Sequence, residues 1–243
     1  MTTADTDRHL RWEGCFNVRD LGGIAGIRRG ALVRADGLGK LTARGWRALV
    51  DHGVRTVVDL RNPDEYGEDA APRPAAVTTV RIPLDGIEHR DFWDRWWGGW
   101  EFGTPVYYRP FLARFPERVA AVVTAIAGAP PGGVVHHCSA GRDRTGLVSL
   151  VLLSLMGADP VRIADDYVLS EPRVKAMNEA GGRPDDGPEL AAGLASRGLT
   201  AHRAAVDVAR WLRAGPYLSA AGVPASLLGA LTDRAGGAAP EPG

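Results

Sequence analysis

Apolar and polar positions along the chain change their period several times, and the changes mark an alternation of strands and helices. Residues 31-ALVRA-35 make an apolar run of strand length. Thr42 then stands as an N-cap before a helix with Trp46, Leu49 and Val50 on one face, closed by Gly53. The segments 55-RTVVDL-60 and 77-VTTVRIPL-84 read as further strands, the second ended by Pro83. A Val- and Ala-rich helix from Glu117 to Ala127 leads through the turn APPGG to the strand 133-GVVHHC-138. That strand feeds a helix from about Arg142 to Met156, ending at Gly157. Asp159-Pro160 supplies the N-cap and first residue of the next helix, through Tyr167. Strands alternating with helices predict an α/β sheet covered on both faces.

Two segments break the order. One is 92-FWDRWWGGWEFGTPVYY-108, with four of the seven tryptophans, and the other is 178-NEAGGRPDDGPELAAGLASRG-198, interrupted by Gly and Pro. Both read as lid-like insertions. Residues 1–8 and 235–243 are polar or low in complexity and read as disordered ends around one domain over 9–234. The length suits a single domain with a substantial core. Formal net charge is zero, which gives no reason to expect a nucleic-acid partner. Two cysteines, Cys15 and Cys138, make no disulfide framework and no CxxC zinc pair. The start lacks the apolar core of a signal peptide, so a reduced, cytoplasmic setting is the expectation, with signal-less export left open.

The chemistry concentrates in 136-HHCSAGRDRTG-146. A buried strand ends at His137, small residues follow, and a helix begins near Arg142. Backbone N–H groups of Ser139, Ala140, Gly141 and Arg142 to Arg144 then turn inward at the positive end of the helix dipole, which cradles an anion. The same field favours the thiolate of Cys138. Arg144 is placed to fork two phosphate oxygens, Thr145 to donate its hydroxyl to the sulfur, and His137 to orient the loop.

Cys138-x5-Arg144 followed by Thr145-Gly146, after His137, resembles the signature loop of the protein tyrosine phosphatases. The form HCxxG-basic-DRTG, with Arg142 and Asp143, is similar to the bacterial branch of tyrosine and lipid phosphatases, the type of the mycobacterial protein tyrosine phosphatase B. The stretches 17-NVRDLGG-23, 59-DLR-61 and 165-DDYVLSE-171 agree with it. The resemblance implies the phosphatase fold, a central mixed sheet flanked by helices. It also implies attack of Cys138 on phosphorus, a cysteinyl-phosphate, and its hydrolysis, with no metal and no cofactor. The leaving group needs an acid, for which both Asp143 and Asp85 stand in suitable places. The implied substrates are phosphotyrosine proteins, with phosphoinositides next, and phosphate is product or inhibitor.

Other readings stand beside these. Cys138 could be a packed thiol, and Cys15 a small core residue or the partner of a protective disulfide with Cys138. Zinc on the adjacent histidines is disfavoured because neighbours on a strand point to opposite faces. Arg19, Asp20, Asp59 and Arg61 read as internal ion pairs around the loop. Arg142 either faces solvent or serves as a second cation for multiply phosphorylated lipids. The tryptophan-rich segment is core, a lid, or a patch for transient membrane-surface contact. A rhodanese-type sulfur transferase and a non-catalytic phosphate-binding module are the alternative functions. The glycines of 22-GGIAG-26 match no nucleotide-binding pattern.

Overall fold

The computed structural model describes residues 8–236. Its strands are β1 (Arg19–Asp20), β2 (Leu32–Ala35), β3 (Val54–Asp59), β4 (Thr78–Arg81) and β5 (Gly133–His137), in the spatial order β1-β2-β5-β3-β4. Only the β1–β2 pair is antiparallel, so the sheet is mixed. The helices are α1 (Ala43–Asp51), α2 (Arg90–Trp96), α3 (Tyr108–Arg114), α4 (Pro116–Ala127), α5 (Asp143–Leu155) and α6 (Pro160–Val168). They continue with α7 (Ser170–Ala180), α8 (Gly187–Ser196), α9 (Ala201–Trp211), α10 (Ala214–Ala220) and α11 (Ala225–Ala235).

Side-chain alternation along the strands sorts the core into two layers. Leu32, Val58 and Val134 face a larger layer with Phe111, Val119, Leu150 and Ala205, while Val33, Val57 and Val135 face a smaller one with Trp12, Leu38 and Trp46. β5 lies between β2 and β3 and is buried throughout, its two histidines included. Helix α5 behind it is apolar on nearly every side and correspondingly buried.

The caps read from sequence are made. Thr42 Oγ1 accepts from Gly45 N at 3.2 Å, and Asp159 Oδ1 accepts from Val161 N at 2.7 Å. The strand expected over 77–84 is shorter, and β1, two residues long, carries no pattern that a sequence reading can detect.

The expected disordered ends lie largely outside the described residues, but their inner edges differ. Arg8 is buried and donates to Asp166 Oδ1 at 2.8 Å, and Ala235 is fully buried as the last residue of α11. Among the described residues no helix is long and apolar enough to cross a membrane.

Candidate active site

The parallel strands end on one edge of the sheet, and each delivers a segment to the same place. β2 runs into Asp36-Gly37, β3 into Arg61-Asn62, β4 toward Asp85, and β5 into Cys138. This carboxyl edge, at the strand filled in last, is where open α/β sheets bind ligands.

The loop after β5 is held by its carbonyls. Cys138 O accepts from His137 Nδ1 at 3.0 Å, Ser139 O from Gly37 N at 3.0 Å, Ala140 O from Asn17 Nδ2 at 3.0 Å, and Gly141 O from Arg34 Nη2 at 2.7 Å. In a trans peptide the N–H opposes the C=O, so carbonyls tethered outward direct their amides inward, as an anion cradle requires. Gly141 has φ of 69°, and a Cβ there would lie 2.7 Å from Ala35 O, so both the turn and the close approach require glycine.

Cys138 sits at the base of the loop, 3% exposed, and Thr145 Oγ1 donates to its sulfur at 3.1 Å. His137 is fully buried behind the loop, and its link to a carbonyl fixes the proton on Nδ1, since a carbonyl only accepts. It therefore supports the loop from beneath and presents no surface to a substrate. His136 points to the other face, where its Nε2 meets Ser149 Oγ at 2.9 Å.

Arg144 is gripped from one side. Both terminal nitrogens donate to the carboxylate of Glu65, Nη2 at 2.7 Å, and Nη1 lies 3.2 Å from Asp85 Oδ2. Glu65 also accepts from Ser139 Oγ at 2.7 Å and from Asn62 N at 2.9 Å. Burial works against its charge, yet the hydrogen bonds from Arg144 and Ser139 bring its pKa down to about 2. Glu65 was not among the residues expected. The Asn-x-x-Glu spacing of 62–65 is a helix-start signal, but it says nothing of an arginine so distant in the chain.

Asp85 is buried, accepts from Asn62 Nδ2 at 2.9 Å, and is pushed above the ordinary carboxylate range by that burial, with Arg144 opposing. Burial also raises Asp143, whose Oδ1 is enclosed with no hydrogen-bond partner while Oδ2 meets Arg142 Nε at 3.4 Å. The Asp143 carbonyl accepts from Tyr108 OH at 2.7 Å, which fixes the first turn of α5. Arg142 is turned inward and clamped, its Nη1 and Nη2 meeting the two oxygens of Asp186 at 3.0 and 2.7 Å.

Beneath the loop lies an ion cluster that the sequence did not reveal. Asp166 Oδ2 accepts from Arg34 Nη1 at 2.6 Å, and Oδ1 accepts from Arg8 and from Arg19 Nε at 3.3 Å, all of them buried. Burial opposes the charge, but the three guanidiniums hold the Asp166 carboxyl well below its usual range. Through Arg34 this cluster reaches Gly141 O. The four residues expected in internal ion pairs are all paired: Asp59 with Arg61 at 2.8 Å, Arg19 with Asp166, and Asp20 with His52 Nε2 at 2.9 Å. Cys15 donates weakly to Gly37 O at 3.7 Å, and burial pushes its thiol well above the usual range.

The two insertions pack on each other. A Cβ at Gly193 of α8 would fall 2.2 Å from the Trp100 ring, and one at Gly103 would meet Leu190 at 2.8 Å and Arg142 Nη2 at 3.1 Å. Trp93 is buried and donates to Asp85 O at 3.0 Å, and Trp97 is 61% exposed, stacked on Phe102.

A sequence model described as the tyrosine phosphatase family matches residues 10–232. The chain belongs to that family. It is 31% identical over 163 residues to a tyrosine-protein phosphatase of Nostoc commune, covering 66% of this chain and 53% of that protein. It is 29% identical over 194 residues to the triple specificity protein phosphatase PtpB of Mycobacterium tuberculosis, covering 68% of this chain and 70% of that protein. The chain thus spans about half the length of the Nostoc relative. The matched region contains the whole loop together with Asn17, Arg34, Gly37 and His137, which hold its carbonyls.

Proposed function

We propose that this tyrosine phosphatase family member hydrolyses phosphomonoesters through Cys138, with phosphotyrosine in proteins as the leading substrate class. The observation that carries the reading is the contact between Thr145 Oγ1 and Cys138 Sγ, 3.1 Å, beneath a loop whose carbonyls are all turned outward. The Cys138 thiolate attacks phosphorus in line, the S–P bond forms, and the bond to the leaving oxygen breaks. Arg144 and the inward amides of Ser139 to Arg144 stabilise the charge spread over the transferring oxygens. A carboxylic acid gives its proton to the leaving oxygen. Water then attacks phosphorus and loses a proton to the same carboxylate, the S–P bond breaks, and the thiolate returns with a hydrogen bond from Thr145. Asp143 takes the acid role, and Asp85 acts beside it through Arg144.

Phosphoinositides form the second substrate class. The PtpB relative is named for triple specificity, and Arg142 lies next to the loop, its fork paired with Asp186. The exposed ring of Trp97 suits transient contact with a membrane surface.

The first experiment compares wild type with Cys138→Ser on para-nitrophenyl phosphate in the presence of EDTA. Turnover by the reduced wild type that vanishes in the serine variant is the expected result. Phosphotyrosyl peptides, phosphoseryl peptides and phosphoinositides then rank the substrate classes. Absence of turnover by the reduced wild type would return the loop to a phosphate-binding role. Persulfide trapping on Cys138 would indicate sulfur transfer.

A further inference from the structure

Arg142 stands where two cavities meet. One, of about 350 Å³, includes Ser139, Ala140, Glu65 and Arg61 at the loop, and the other, of about 540 Å³, runs between Tyr167, Lys175, Leu190 and Leu194. Arg142 and Asp186 line both. The guanidinium fork is already filled, because Nη1 and Nη2 meet the Asp186 carboxylate at 3.0 and 2.7 Å, and Nε faces Asp143 at 3.4 Å. The carboxylate is on the solvent side of the pair, its side chain 41% exposed against 10% for Arg142. The hydrogen bonds from Arg142 lower the pKa of Asp186, so the carboxylate is charged at neutral pH.

Building on the phosphatase reading, we propose that Asp186 is a specificity-determining residue. It is an internal anion that occupies Arg142 and must be displaced by the second phosphate of a bisphosphorylated substrate. The chemistry favours exchange, since a phosphate brings about −1.5 to −2 charges and three acceptor oxygens against a single carboxylate. The pair can part without unseating the helix that follows. Helix α8 is held elsewhere, by Gly193 against Trp100 and Leu190 against Gly103, and by the 2.6 Å link from Arg197 to Glu101. With Asp186 in place, the site discriminates against a second anion and serves monophosphates. Without it, Nη1 and Nη2 of Arg142 open toward a second anion beside the loop, while Nε still faces Asp143.

The test uses binding, so that it does not depend on turnover. Calorimetry on Cys138→Ser measures butyl phosphate and butane-1,4-diol bisphosphate, whose flexible linker samples many separations. The same pair is measured with Asp186→Asn added. The expected result is a bisphosphate Kd about 5-fold lower with Asp186→Asn, and a monophosphate Kd within about 2-fold, the scale of a half-exposed ion pair. Adding Arg142→Gln should abolish the gain. Equal changes for both ligands, a weakening of both, or no gain for the bisphosphate overturns the proposal and leaves Asp186 as a latch or as a support for Arg142. Loss of para-nitrophenyl phosphate turnover in the wild type, with the Kd pattern intact, would instead defeat the catalytic reading alone.

Discussion

Two carboxyl groups beside Arg144, Asp85 buried and Asp143 partly buried, have different surroundings, and the difference supports the proposal of Asp143 as the acid. Asp85 shares Oδ2 between Asn62 at 2.9 Å and Arg144 at 3.2 Å, two donors that partly offset the burial raising its pKa. Asp143 keeps Oδ1 enclosed and unpartnered, a position that costs free energy as an anion and much less when protonated. Asp143→Asn should therefore slow alkyl phosphates about 100-fold and nitrophenyl phosphates, whose leaving group needs little protonation, far less. Equal slowing on all substrates removes Asp143 from the acid role. Because burial raises its pKa, the protonated form persists to higher pH than for an ordinary aspartate. In pH profiles of kcat/KM for alkyl phosphates, activity should fall as pH rises through that raised value, and this descending limb should be missing in Asp143→Asn. At this scale the sequence was most legible, since Cys138, Arg144 and Thr145 lie within one short loop. Glu65, Arg34 and Asp166 were not, because each acts on the loop from another part of the chain, and only folding brings them to it.

The elements differ in how far local chemistry decides them. Helices α1 and α6 begin where Thr42 and Asp159 cap them, and those caps are written in adjacent residues. The two insertions are separate interruptions in the sequence, yet they make one joint in which Gly193 leaves room for the Trp100 ring. Gly193→Val forces that ring away, and overpacking of this kind costs about 1–3 kcal/mol. The expected outcome is a lower urea midpoint with hydrolysis of para-nitrophenyl phosphate retained, since Gly193 packs on Trp100 and the link to the loop runs through Asp186, which precedes α8. An unchanged midpoint would show that the joint contributes nothing to stability. Within the first insertion the tryptophans divide by position. Trp93 and Trp96 are core, and Trp93 steadies the Asp85 segment, while Trp97 is left outside.

For the molecule as a whole, the sheet order concentrates buried charge and buried imidazole beneath a single edge. Burial lowers His136 to about 3 and His137 to about 4, so both are neutral in the native protein. An unfolded chain takes up both protons as pH falls below the ordinary histidine value, and the folded chain does not until about pH 4. Native stability should thus fall with falling pH between about 6.5 and 4, by roughly 1.4 kcal/mol per pH unit for each histidine. Urea unfolding across that interval checks it, and a flat profile would mean that the two rings accept protons without unfolding. At still lower pH the depressed carboxyls of Asp166 and Glu65 act in the same direction, since stability present above the ordinary carboxylate range is lost as they protonate. The sequence by itself determined the alternation of strands and helices, the covered sheet and the loop that carries Cys138, because periodicity, caps and a contiguous motif are all local. Only the tertiary structure decided what grips Arg144, what neutralises Arg142 and what lies under the loop. Those contacts join the loop after β5 to the segment after β3, to Asp166 in α6 and to Asp186 before α8, parts of the chain that only the fold brings together.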